Sequence, residues 1–141
     1  MDKQSDAVNL IVRLEGIRLN AYKDSAGIAT IGVGCTVYDD GSAVKIGDKC
    51  TIEQAQTWLL FHLKKYVFPL LSTFTVPDNV YVALSSFVYN VGHVGQSMIH
   101  PIMFQDWEAL ADAFKLYIYV DDIISPGLVA RRNTEVKYFL G

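Results

Sequence analysis

Glu15, Asp24 and Thr30 are the residues whose types and spacing could do chemistry together. Eight residues separate the two acids, and five more separate Asp24 from Thr30. Two carboxyls flanking a scissile bond are what glycoside hydrolysis needs: one protonates the leaving oxygen, and the other activates water or attacks. Acidic pairs at such separations are also common on solvated surfaces, so the residue types alone leave both readings open.

These three residues need a helix end, a loop and a strand to bring them to one point. Residues 5–15 read as a helix, capped by Ser5 or Asp6, with Ala7, Leu10, Ile11 and Leu14 on one apolar face. Glu15 lies beside that face, and burial of a carboxyl favours its protonated form, as suits a proton donor. Residues 20–46 read as short strands, with turns at Ser25-Ala26-Gly27 and Asp39-Asp40-Gly41-Ser42. The strand pieces are Ala29-Thr30-Ile31 and Cys35-Thr36-Val37-Tyr38, and Gly32 and Gly34 mark bends where backbone or ligand approaches closely.

The stretch from Glu15 to Thr36, EGIRLNAYKDSAGIATIGVGCT, resembles the active-site segment of the phage-type lysozymes, the endolysin muramidases of glycoside hydrolase family twenty-four. Their pattern is Glu, eight residues, Asp or Cys, five residues, Thr. The flanking Gly16, Leu19, Ala21-Tyr22, Gly27, Ile31-Gly32, Gly34 and Thr36 agree, while Cys35 stands where the family usually has His. Two further stretches carry the likeness: Ala83 to Gly92, similar to the family's core helix ending in Asn-Val-Gly, and Gly127-Leu128 with Arg131-Arg132 and Glu135, similar to its closing motif. Tyr117 and Asp121-Asp122 depart from the family's usual Trp and Gly.

The resemblance implies an α+β, lysozyme-like fold in one domain. A small antiparallel sheet lobe over about 16–50 would be joined by a long helix to a helical lobe over about 66–141, which also takes the N-terminal helix. It implies a muramidase cutting the β-1,4 bond between N-acetylmuramic acid and N-acetylglucosamine, with Glu15 as general acid, Asp24 directing water and Thr30 holding it. Tyr22, Gly32, Arg131 and Arg132 would bind substrate or support the site. One of the two arginines would reach Glu15 and orient it, although Arg131 and Glu135 can also pair with each other one helical turn apart. No metal or organic cofactor is implied. The expected partner is the peptidoglycan glycan strand, met by a monomer. The rival readings are a catalytically degenerate domain that binds wall or localises other proteins, and a self-assembling scaffold.

The remaining elements read in order. Thr51 and Gln54 have capping-box spacing at the start of a long helix carrying Ala55, Leu59, His62, Leu63 and Tyr66, which Pro69 should end or kink near Val67 or Phe68. A helix over Asn79 to Val91 buries Val80, Leu84, Phe87 and Val91 and stops at Gly92. Residues 93–104 give no clear pattern. Asp106 caps a helix carrying Trp107, Leu110, Ala111, Phe114 and Tyr117, and Ser125-Pro126 opens the last one. The apolar runs Met98 to Phe104 and Leu116 to Val120 are expected in the core, the alternative being exposed sticky patches of a scaffold.

With 51% hydrophobic residues and 19% charged, the chain can bury a sizeable core, and disorder is excluded. A net charge of −3 gives no support to nucleic-acid binding. The excess is uneven: residues 1–65 carry eight basic and eight acidic side chains, and 66–141 carry four and seven. Two cysteines make no disulfide framework. The polar start, MDKQSDAVNL, lacks the features of a secretory signal, and no run is long enough to span a membrane. The expected product is made in the bacterial host's cytoplasm and acts on the wall after release.

Overall fold

The computed structural model describes residues 2–141. Helix α1 (Lys3–Glu15) is capped by Asp2, whose carboxylate accepts the Ser5 amide at 2.7 Å. The helix thus begins before Ser5 and Asp6, the caps expected from sequence. Ser5 is instead the third helical residue, where its own amide needs a partner. Ala7, Val8, Leu10 and Ile11 are its buried residues, and Glu15 is its last.

Strands β1 (Arg18–Lys23) and β2 (Ala29–Gly32) form an antiparallel hairpin. Its register pairs Tyr22 with Thr30 and Lys23 with Ala29, with an irregularity between Arg18 and Tyr22. Residues 20–23 lie in the stretch read from sequence as short strands, and β1 begins two residues before it. Cys35–Tyr38, expected as a strand, makes only isolated bridges: Cys35 to Ile31, and Val37 to Ala43. Gly32 and Gly34 both have positive φ, +65° and +67°, so the chain turns twice within three residues and no ladder can extend.

Thr51 and Gln54 form the expected capping box at the start of α2 (Ile52–His62). The helix then widens into a π turn over Leu63–Val67 before α3 (Phe68–Leu71). Pro69 neither ends the run at Val67 nor breaks it. A proline ring would clash with the carbonyl four residues back. The π turn relieves this by letting the Phe68 amide reach back to the Leu63 carbonyl.

The helical lobe is built on α4 (Asp78–Val91), whose residues Val80 to Val88 are all buried. It closes with Gly92 in the left-handed conformation, φ +100°. Packed about it are α1, α5 (Gln96–Met103), α6 (Trp107–Phe114) and α7 (Pro126–Leu140). Phe87 is fully buried, with Phe114 4.7 Å and Tyr117 5.0 Å away, centroid to centroid. Tyr117, where the family usually has Trp, also seals against Gly95: a Cβ there would come within 2.3 Å of its hydroxyl oxygen.

Residues 93–104, illegible in sequence, contain α5, with Pro101 inside it and Met98 and Ile102 in the core. The two apolar runs are not wholly buried as expected. Met103 and Phe104 are exposed, and so are Leu116, Tyr119 and Val120. The second run enters a short hairpin, β3 (Tyr119–Val120) with β4 (Ile123–Ile124), turned by Asp121 and Asp122 at φ +49° and +63°. Asp tolerates that region better than most residues, so the turn survives without glycine. Among the described residues no helix is long and apolar enough to cross a membrane.

Phe87 ties three helices together, so truncating it should be expensive. Phe87→Ala is expected to lower unfolding free energy by about 3–5 kcal/mol, read as a fall in the urea midpoint at constant slope.

Candidate active site

Glu15 stands at the carboxyl end of α1, the wrong end of a helix dipole for an anion. The compensating charge comes from α7. Arg131 donates through Nη1 to Glu15 Oε2, bridging 116 residues of sequence. The Arg131 side chain is 9% exposed and that of Glu15 32%, so the carboxylate keeps contact with solvent while the guanidinium lies inside. Of the two arginines singled out from sequence, Arg131 is therefore the one that reaches Glu15. Arg132 turns inward, donating to Asn90 and, at 2.9 Å, to Glu135, with its guanidinium over the Phe87 ring.

Asp24 opens the loop that joins β1 to β2. Its Oδ1 accepts the amides of Ala26 and Ile28, both at 2.9 Å, while its own amide donates to the Ile28 carbonyl. One carboxylate oxygen is thereby committed to holding the loop, and among the described residues no protein hydrogen bond occupies Oδ2. Gly27, at φ +79°, allows the reversal. Thr30 is 3% exposed, and its hydroxyl donates to the Ile28 carbonyl at 2.9 Å, leaving lone pairs to accept. Tyr22 pairs directly with Thr30 across the hairpin, and side chains of opposed residues share a face. Asp24 follows directly after the last residue of β1, where the loop begins. The guanidinium of Arg18 lies 4.3 Å from the centroid of the Tyr22 ring.

Sequence reasoning did not single out Tyr89, which lies between these groups. Its hydroxyl donates to the Val33 carbonyl at 3.0 Å. The Tyr89 phenol is pushed up to about 12, first by burial and next by the charge of Glu15, against Arg131, with smaller contributions from Cys35 and Tyr22. One hydroxyl thus has the proton-donor candidate, its arginine, the hairpin tyrosine and the replaced histidine position in its electrostatic neighbourhood. The signal that could have found it is its place in the Ala83 to Gly92 stretch that carries the family likeness.

Gly32 serves the frame: a Cβ there would lie 3.2 Å from the Cβ of Ala55, so its bareness lets the sheet close onto α2. At Gly34 a Cβ would come within 3.2 Å of the Tyr89 hydroxyl. From this turn a cleft of about 360 Å3 runs along α2 and the π turn, with walls that include Cys35, Tyr38, Trp58, His62, Tyr66 and Tyr89. Such aromatic faces suit the apolar faces of sugar rings. His62 packs against the rings of Tyr66 and Tyr89 at 5.0 and 5.6 Å. Cys35 donates to the Val37 carbonyl at 3.2 Å, and burial pushes its thiol up. It is therefore a neutral thiol at neutral pH and a poor nucleophile.

A carboxyl on a helix end, a hairpin bearing a second carboxyl and a buried hydroxyl, and an aromatic cleft beside them define the lysozyme class of fold. The comparisons agree. The phage lysozyme family profile matches residues 12–135. The endolysin of Salmonella phage P22 is 35% identical over 99% of both chains. A SAR-endolysin of Pseudomonas phage phiKMV is 36% identical over 92% of this chain and 83% of its own. The solved endolysin from Escherichia coli O157:H7 phage FAHEc1 superposes with a TM-score of 0.86 at 33% identity, covering 99% of this chain and 94% of its own. This chain belongs to the phage lysozyme family. It is a lysozyme-type glycoside hydrolase that cleaves peptidoglycan.

The Tyr89 phenol has a pH signature. An ordinary phenol titrates near 10, and this one at about 12. Its contribution to stability is present in full below pH ~10 and is lost as pH rises from there through 12, where the unfolded chain alone releases the proton. Tyr89→Phe should flatten the decline of the urea midpoint over that window.

Proposed function

We propose that the chain acts as a single monomeric domain, cutting the β-1,4 bond between N-acetylmuramic acid and N-acetylglucosamine with inversion at the anomeric carbon. Glu15 protonates the glycosidic oxygen. Asp24 Oδ2 takes a proton from water, and Thr30 accepts a hydrogen bond from that water on the far side of the sugar. The observation that carries this assignment is the division of labour at Asp24. One oxygen is fixed by two amides and the other is free, so a base is held in place without being neutralised. Arg131 steadies Glu15, Tyr22 lines the hairpin face, and Arg132 supports from below. A water between base and sugar requires carboxyls about 6.5–9.5 Å apart, whereas retention requires about 5 Å.

The wall glycan is the partner in this reading, reached after the protein leaves the host cytoplasm, and nucleic acid has no part in it. The aromatic cleft favours a sugar strand over a wholly ionic ligand. The binding-only and scaffold alternatives make no use of the Asp24 oxygen that has no protein partner among the described residues.

Glu15→Gln keeps the shape and removes the proton donor. Lysis of purified sacculi should fall by at least about 10²–10⁴-fold, with the circular-dichroism spectrum and urea midpoint retained. Substantial lysis by that variant would end the assignment. Early product examined by proton NMR should be the α-anomer; the β-anomer appearing first would mean retention.

A further inference from the structure

Beneath Arg131 lies a charged cluster that the proposed chemistry does not yet use. Glu135 is fully buried. Its Oε2 accepts Ser86 Oγ of α4 at 2.5 Å and Arg131 Nε at 3.3 Å, and its Oε1 accepts Arg132 Nη1 at 2.9 Å. Each of these bonds is one that Glu135 accepts, the pattern of a carboxylate. Burial pushes its carboxyl up, while Arg132, then Ser86 and Arg131, pull it back. The Ser86 hydroxyl and carbonyl oxygens both accept Arg131 Nη2 at 3.2 Å. Of the three nitrogens of Arg131, Nε is therefore held by Glu135 and Nη2 by Ser86. Nη1 is left pointing at Glu15.

We infer that Glu135, working with Ser86, is a positioning residue for catalysis, which aims Arg131 at Glu15 and cancels enough positive charge for Glu15 to carry a proton. The inference rests on Glu15 being the proton donor. Two arginines and two glutamates sum to zero when Glu15 is ionised, and to +1 when it is protonated. Without Glu135 the same two states carry +1 and +2, and protonating Glu15 is opposed by the added repulsion. The groups facing this chain of contacts are few. Glu15 on α1 meets Arg131 from α7 and Tyr89 from α4, with Tyr22 of β1 and Cys35 of the following turn sharing the Tyr89 neighbourhood. Glu135 meets Ser86 from α4 and Arg131 and Arg132 from its own helix, and Asn90 of α4 takes the far end of Arg132.

The test is the pH profile of the full chain on soluble, uncrosslinked peptidoglycan. Glu135→Gln should move the alkaline limb of kcat down by about one pH unit, as loss of a compensating charge near an acid does. KM should change little. Glu135→Asp, which keeps the charge, should keep the profile even if its urea midpoint falls. Should Glu135→Gln fail to fold, Ser86→Ala removes one of the bonds that aim Arg131 with little change in volume. It should lower kcat about 10-fold at unchanged KM, as misplacement of a catalytic group does. A wild-type pH profile in folded Glu135→Gln, or wild-type kcat in Ser86→Ala, overturns the inference. If those results come while Glu15→Gln is dead, only the positioning role fails; lysis by Glu15→Gln would remove the proton donor itself.

Discussion

The Arg131–Glu15 ion pair is the contact on which the arrangement depends. It joins the first helix to the last, and so closes the helical lobe around α4 while fixing Glu15 at the end of α1. Neither charge would be stable alone. Glu15 sits at the negative end of α1, and Arg131 is nearly buried, where an unpaired guanidinium is costly. Each makes the other's placement possible. The cost of bringing Arg131 inside is then shared with Ser86, Glu135 and Arg132, which extend the pairing to α4 and back to α7. A buried cluster of this kind contributes little net stability compared with well-packed apolar side chains. Its retention is better explained by what it holds in place than by what it adds to folding.

The hairpin solves the complementary problem, holding an acid firmly without using it up. Asp24 caps its own loop through two amides, a local bond that needs nothing from the rest of the fold. Thr30 is anchored to the same Ile28 whose amide Asp24 binds. The base candidate and the hydroxyl therefore share one support and keep their relative position when the sheet lobe moves. Glu15 and Arg131 belong to the other lobe. The two halves meet at Tyr89, whose hydroxyl group crosses from α4 to the Val33 carbonyl just beyond β2. The glycines at 32 and 34 let the sheet approach α2 and Tyr89 this closely.

How much of this was legible follows from how local each cause is. The capping box at Thr51, the cap at Asp106, the Ser125-Pro126 start and the Gly92 stop are bonds between near neighbours, and the sequence displays them. The Arg131–Glu15 contact was legible only through family likeness, because nothing local in either residue specifies a partner 116 positions away. The helix α5 was hidden by a proline within it. The π turn answers a steric clash at Pro69, which sequence registers as a break rather than an accommodation. Leu116 to Val120 failed for a different reason. Apolarity was taken as burial, but the segment pairs with Ile123–Ile124 in a surface hairpin and stays exposed. Residue type alone does not say which way a short ribbon will face.

The charge distribution bears on how such a protein could hold a wall strand. Of the eleven charged residues beyond residue 65, Arg131, Arg132 and Glu135 are consumed in the buried cluster. The surface beyond residue 65 is left with Asp78, Asp106, Glu108, Asp112, Asp121 and Asp122 against Lys115 and Lys137. That surface repels a polyanionic envelope, so long-range steering works against association rather than for it. Binding must then come from short-range contact, and the cleft along α2 and the π turn, walled by aromatic rings, suits that. Stacking and hydrogen bonds respond weakly to salt, whereas the repulsion fades as the Debye length shortens.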